Sequence, residues 1–368
     1  MVDGAGECEG LGGPAAERTF LDTTVGGHRA RVARAAGLEV VAAESAAAGA
    51  VWTKDVVCSP LALRRALGAG VDVVATPDHP TARAIAALTG TDLGIRVGAR
   101  DATRRVDFAA DTRALEGFPV TGGPITVADA YVLAVDHWAQ LLWANLLALG
   151  PFLWAKLVGP LPLGLLPLTW GALRAMSARP EDVAAKLNVY GTGARVHRAA
   201  VVEGCVLGRG ASIGAGAVVR GAVLGAGARV EELAYVEGSV LGDEARVQRG
   251  AIAKYSVIEA GAAHAGIMQL GVLGRRAQVK SGAMLLDVVL GGPTRVFARG
   301  ELRSAPLGFC GVCVGDDAVV GTGVLVAPGR VVPAGLQLVA GGDSLLMRLD
   351  VPPGTRRARV VRGAAEPA

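Results

Sequence analysis

The sequence predicts an α/β domain followed by an all-β, three-sided parallel solenoid. Three observations carry this: a 17-residue internal repeat in the C-terminal half, strand–helix alternation in the N-terminal third, and 53 glycines in 368 residues. Glycine at about twice its usual share, without the period of collagen, marks many tight corners in a repeating fold. Hydrophobic residues make up 51% and charged residues 19%, which excludes intrinsic disorder. A net charge of +4 is too small to indicate a nucleic-acid protein.

Residues 1–16 read as a flexible N-terminus, acidic over MVDGAGECEG and without the apolar core of a secretory signal. Five scattered cysteines, Cys8, Cys58, Cys205, Cys310 and Cys313, make no disulfide framework and suit a reducing, cytoplasmic compartment. Residues 17–128 read as the α/β domain. HRARVARAAG is a helix ending at glycine, LEVVAA and VWTKDVV are strands, SPLALRRALGAG is a helix opened by Ser59 and Pro60, and VDVVATP is a strand. This alternation predicts a mostly parallel sheet with Rossmann-like connections.

Residues 129–190 form an apolar helical connector. No Asp, Glu, Lys or Arg lies between Asp136 and Lys156, and Trp138, Trp143, Trp154 and Trp170 fall in this region. Residues 137–173 fit three arrangements: a helical hairpin docked on a membrane surface, helices packed between domains or at an oligomer seam, and a membrane span.

The solenoid is expected over 191–342. GCVLGRGA, GAVLGAGA, GSVLGDEA and YSVIEAGA align, placing Leu207, Leu224, Leu241 and Ile258 at intervals of 17. Apolar slots at 196, 202, 207, 213, 219, 224, 230, 236, 241 and 247 are spaced by six or five residues. A helix cannot place apolar residues this way, and a hairpin meander would alternate every two. Three short strands per turn, each sending one aliphatic side chain inward, satisfy the pattern. Stacking then makes the core continuous. The pattern resumes with Leu273 and is expected to continue with Leu290, then breaks at about 298–309 and closes with Val314, Val320, Val326 and Val332. Residues 343–368 are expected to be a frayed basic tail.

Ile213-Gly214-Ala215-Gly216-Ala217 and Val314-Gly315-Asp316-Asp317-Ala318 resemble the hexapeptide-repeat left-handed β-helix transferase family. That resemblance implies left-handed coiling and a homo-oligomer, usually a trimer. The N-terminal order resembles the sugar-nucleotide pyrophosphorylase domain that often precedes such a β-helix. VWTKDVVCSPLALRRAL then corresponds to the strand with a metal-binding aspartate, which implies that role for Asp55. The family opens with a Gly-rich, Arg-containing phosphate loop followed by lysine; here GLGGPAAER is a faint echo and no lysine precedes Lys54. The resemblance therefore implies a degenerate nucleotidyltransferase-like domain, with a nucleotide and Mg, or acyl-CoA, as the cofactor.

His264 stands where the series Ile213, Val230, Val247 calls for an aliphatic residue. Hexapeptide acyltransferases commonly use a histidine as general base, so the resemblance makes His264 a catalytic candidate; the alternative is a hydrogen-bonded histidine at a disturbed corner. His197 reads as solvated. Arg275, Arg276 and Lys280, and Arg295, Arg299 and Arg303, are two clusters fit to hold CoA or nucleotide phosphates, or to form a charged solenoid rim. Cys310-Gly-Val-Cys313 is a lone pair, and no metal site is expected. The functional expectation is a sugar-nucleotide type transferase of bacterial envelope or polysaccharide metabolism, without its N-terminal catalytic loop. The alternatives are a CoA-dependent acyltransferase, and a non-catalytic, membrane-docked scaffold peripheral to the inner membrane.

Overall fold

The computed structural model describes residues 8–36, 38, 49–52, 56–70, 72–98, 103–114, 126–159, 165–176, 179, 182–183, 186–289, 291–341, 345–346 and 348–368. The chain divides into two compact units, one of residues 1–148 with 293–309, the other of residues 149–292 with 310–368.

The second unit contains the solenoid. Among the described residues its three faces hold eight, ten and eight strands. Along the first face Leu207, Leu224, Leu241, Ile258, Leu273, Val314 and Val332 stand side by side in parallel register. The second face carries Ile213, Val230, Val247, His264, Val279 and Val320 in the same way, and the third Val219, Val236, Ala253 and Met268. These side chains and the corner alanines, among them Ala211, Ala228 and Ala245, form one buried core. Strands two or three residues long are marginal alone; each gains a ladder and a buried aliphatic row from the coils above and below. Gly208 shows why the corner admits no side chain, since a Cβ there would lie 2.6 Å from the carbonyl carbon of Gly225.

Two solenoid expectations are corrected. Leu273 is followed in its row by Val314, so the 17-residue spacing to Leu290, itself outside the described residues, marks no coil. After Leu285 the chain leaves the stack, with Val288 and Val289 exposed. It forms an antiparallel hairpin of Arg295–Ala298 and Glu301–Ser304 within the first unit, then returns at Cys313–Val314. The basic tail is ordered into the fold: Arg357–Val361 pairs in parallel with Gln337–Ala340, and Ala364–Pro367 folds back antiparallel on it.

In the first unit helices α1 (Val25–Ala35), α2 (Pro60–Gly68) and α3 (Pro80–Ala86) alternate with strands as expected. Ser59 caps α2, its hydroxyl accepting from the Ala62 amide at 3.1 Å. The LEVVAA strand falls almost wholly outside the described residues. The sheet is mixed rather than mostly parallel. Its order is Gly49–Trp52, Ile95–Gly98, Val73–Asp78, Arg104–Ala109, and only the last pair runs parallel. The reason is local: a turn after α3 brings the chain back as Ile95–Gly98, antiparallel to the strand that precedes the helix. Residues 8–16 are packed, not loose, with Cys8, Leu11 and Ala15 buried and the Glu9 amide donating to the Asp136 carbonyl.

Helix α4 (Trp138–Leu157) contains the longest uncharged run. Trp138 to Ala144 are fully buried in protein, and the polar residues that interrupt the run explain why. Asn145 Oδ1 accepts from the Leu21 amide while its Nδ2 donates to the Thr19 carbonyl; Gln140 donates to Ile85 and Thr89. Among the described residues no helix is long and apolar enough to cross a membrane.

Candidate functional site

His264 lies inside the prism between Val247 and Val279, with 0% of its surface exposed. Its Nε2 is 2.9 Å from the Ile252 carbonyl oxygen, and its enclosed Nδ1 has no hydrogen-bond partner. Burial pulls its pKa from 6.5 to about 4, against the backbone hydrogen bond to Ile252. The ring is therefore neutral, with Nε2–H donating to the carbonyl. A general base must reach the proton it removes, and this ring presents no surface to solvent.

The flanking basic residues are engaged by their neighbours in the next coil. Because Leu273 stands beside Val314, the following residues also meet: Arg275 pairs with Asp316 at 2.9 Å and Arg276 with Asp317 at 2.6 Å. The Arg276 hydrogen bond, with help from both arginine charges and against burial, holds the Asp317 carboxyl below its usual range. Lys280 donates to Gln278 at 2.6 Å. His197 is exposed, its Nδ1 accepting from the Ala199 amide.

The second arginine cluster sits on the hairpin of the first unit. Arg299 pairs with the buried Asp136, whose other oxygen accepts from the Thr89 and Thr91 hydroxyls. The Arg299 amide donates to Glu9. Arg303 donates to the Leu88 carbonyl at 2.8 Å and pairs with Glu301, and Arg295 donates to the Leu302 carbonyl. These guanidiniums fasten the hairpin to the core of its unit. Asp55 lies outside the described residues. Cys310 and Cys313 are buried free thiols, and burial pushes the Cys310 thiol up. Among the described residues no group of His, Cys, Asp and Glu could hold a metal ion.

What sequence reasoning missed is a cleft of about 400 Å³ within the first unit, lined by Thr76, Arg83, Gly90, Thr91, Asp92, Arg105 and Asp107 among others. The parallel ladder sets Thr76 beside Asp107 and Val74 beside Arg105. Alternation then puts Arg105 and Asp107 on one face of their strand, and α3 contributes Arg83. Each arginine is steadied by a carboxylate. Asp92 receives two hydrogen bonds from Arg105, at 3.1 and 3.3 Å, and a third from the Gly94 amide; Asp78 holds Arg83 at 2.9 Å. Burial would raise the Asp92 pKa, but the bonds from Arg105 and Gly94 and the charges of Arg105 and Arg96 outweigh it, so Asp92 stays ionised well into acid. Position 94 must be glycine, because a Cβ would lie 2.3 Å from Val74 Cγ1. The Thr76 hydroxyl oxygen is enclosed here with no hydrogen-bond partner. Two fixed cations and an exposed carboxylate can together bind an anionic, hydroxyl-bearing small molecule. The one signal in the sequence was the alternation in RRVDF, which any half-exposed strand shows.

The coil geometry, the in-register rows and the Gly-bearing corners can be set against known repeats. Residues 197–272 match the family model described as GlmU-like, C-terminal hexapeptide. The GlmU-like segment holds the coils from Leu207 to Val272, and the hexapeptide-repeat left-handed β-helix is the architecture of this part of the chain. No curated protein matches the sequence. Among solved structures the chain is similar to the UDP-N-acetylglucosamine acyltransferase of Francisella novicida, at 15% identity and a TM-score of 0.27, covering 49% of this chain and 68% of that one. It is also similar to the acetyltransferase domain of PglB from Neisseria gonorrhoeae in complex with acetyl coenzyme A, at 17% identity and a TM-score of 0.18, covering 64% and 100%.

Proposed function

We infer that this hexapeptide-repeat protein is a transferase-type protein of sugar-nucleotide chemistry, and that its small-molecule site is the cleft of the first unit. The observation that carries this is the convergence of Arg83, Arg105 and Asp107 on one open space. Guanidinium forks match phosphate oxygens, and carboxylates and hydroxyls match sugar hydroxyls. Asp92 acts by fixing Arg105. The solenoid contributes a rigid prism in which His264 serves as an interior residue rather than as a base.

The test is a thermal-shift and calorimetric titration of the full chain with UDP-sugars, sugar 1-phosphates and acetyl coenzyme A. A phosphorylated sugar that binds the folded form raises the melting temperature, and Arg105→Ala should weaken it about tenfold or more. Equal binding by Arg105→Ala would reject the cleft. Stabilisation by acetyl coenzyme A alone would favour the acyltransferase reading.

A further inference from the structure

The C-terminal end of the solenoid carries a second concavity, of about 570 Å³. One wall is the corner Pro333-Ala334-Gly335 with Gln337 on the strand that follows; the other is the segment 351–356 of the returning tail. The sequence explains why the second wall holds its shape. The Thr355 amide donates to the Pro352 carbonyl at 3.1 Å and Gly354 has a φ of +84°. Pro352-Pro353-Gly354-Thr355 is therefore a type II turn, with proline and glycine at the central positions that this turn favours. The Thr355 hydroxyl donates to the same carbonyl at 2.7 Å, and each proline fixes its own φ. The Gln337 amide then donates to the Arg356 carbonyl at 3.0 Å, and Gln337 stands beside Arg357 in parallel register, which sews the two walls together.

Lining and charge narrow the occupant. Val351, Ala334 and three prolines make the groove mostly apolar, and its polar side chains are few: Gln337, Thr355 and Arg356. That is the make-up of a small-molecule site. Arg356 is the one cation of the lining and no acid lines it; among the described residues Arg356 forms no ion pair. The acids of the neighbouring corner are engaged elsewhere, Asp316 with Arg275 and Asp317 with Arg276, and Asp350 is exposed ahead of the wall without lining it. A single guanidinium fork balances one negative charge and meets a carboxylate in two parallel bonds. A phosphate dianion would call for more cations than this lining holds. We propose that the groove binds a short-chain carboxylate, its head group on Arg356 beside the Gln337 amide and its alkyl body against Val351 and the prolines. The preset turn keeps the ordering cost of binding low. This goes beyond the cleft reading and is independent of it, since the two concavities share no residue.

Calorimetric titration and saturation-transfer NMR of the full chain test it, with sodium hexanoate as the probe and acetate and hexanol beside it. Hexanoate should bind, and each methylene it takes out of water should tighten binding by up to about fourfold. Acetate lacks the apolar body and hexanol the charge, so each should bind about tenfold or more weakly than hexanoate. Arg356→Gln keeps the backbone carbonyl that Gln337 uses, so its melting curve should match that of the wild type while hexanoate binding falls about tenfold or more. Ala334→Phe, at an exposed position, fills the groove and should abolish binding. Failure of hexanoate to bind the intact protein would overturn the proposal, as would equal binding by Arg356→Gln or hexanol bound as tightly as hexanoate. Displacement of hexanoate by a sugar 1-phosphate would overturn it too, by placing the carboxylate in the cleft of the first unit.

Discussion

Replacing His264 by Val restores the aliphatic residue that Val247 and Val279 bracket in the second-face row. The magnitude follows from proton linkage. In the unfolded chain the imidazole titrates near 6.5; folded, burial lowers that to about 4. Because the folded value is the lower one, the unfolded state takes up the proton first. The stability tied to a neutral His264 is complete above pH 6.5, falls as pH drops, and levels off below about pH 4. A gap of this size corresponds to about 3 kcal/mol in total, and to about 2 kcal/mol by pH 5. Val carries no proton, so the variant lacks this loss. At neutral pH two effects offset: the variant removes the enclosed Nδ1 with no partner but also the bond to the Ile252 carbonyl, leaving a difference of about 1 kcal/mol or less. The assay is urea unfolding of both proteins at neutral pH and near pH 5. The other buried histidines, His28 (pulled by burial to about 4), His79 and His137, also titrate low, and they cancel in the difference between the two proteins. An identical acid loss in wild type and His264→Val would refute the reasoning: it would mean that the imidazole is hydrated in the native state.

Two further outcomes follow from packing. Leu224→Ala should cost about 2–5 kcal/mol, since Leu224 is 1% exposed and its row cannot collapse between Leu207 and Leu241; chemical denaturation reads this. Arg299→Ala should destabilise the first unit by about 1–3 kcal/mol, because it leaves the buried Asp136 carboxylate with hydroxyl partners only, while leaving phosphate-ligand binding to the cleft unchanged. A loss of ligand affinity without a loss of stability would instead give Arg299 the phosphate-binding role read from the sequence.

The solenoid was legible in advance because its code is local. Each coil touches only the next, so an interval of 17 in the sequence becomes a neighbour in space, and Leu207, Leu224 and Leu241 could be stacked on paper. That same rule failed after Leu273, whose neighbour in the row is Val314, 41 residues on rather than 17. A period records what a strand would do, not whether the chain is still in it.

Sequence alone thus determined the three-sided parallel prism, its corners and its inward rows, together with helices α1 and α2 and the Ser59 cap, because each depends on near-neighbour sterics and side-chain size. Tertiary structure decided the rest. Arg275 and Arg276 find Asp316 and Asp317 forty-one residues away, and Arg299 finds Asp136 from the far side of the sequence. The front of α4 is buried in protein, whereas helix α5 (Leu165–Ala175) turns Trp170 to solvent. Thr76, Arg83 and Arg105 form a cleft only when strand, helix and strand converge. Charge pairing and cavity formation act between segments distant in the chain, and no periodicity encodes which segments will meet.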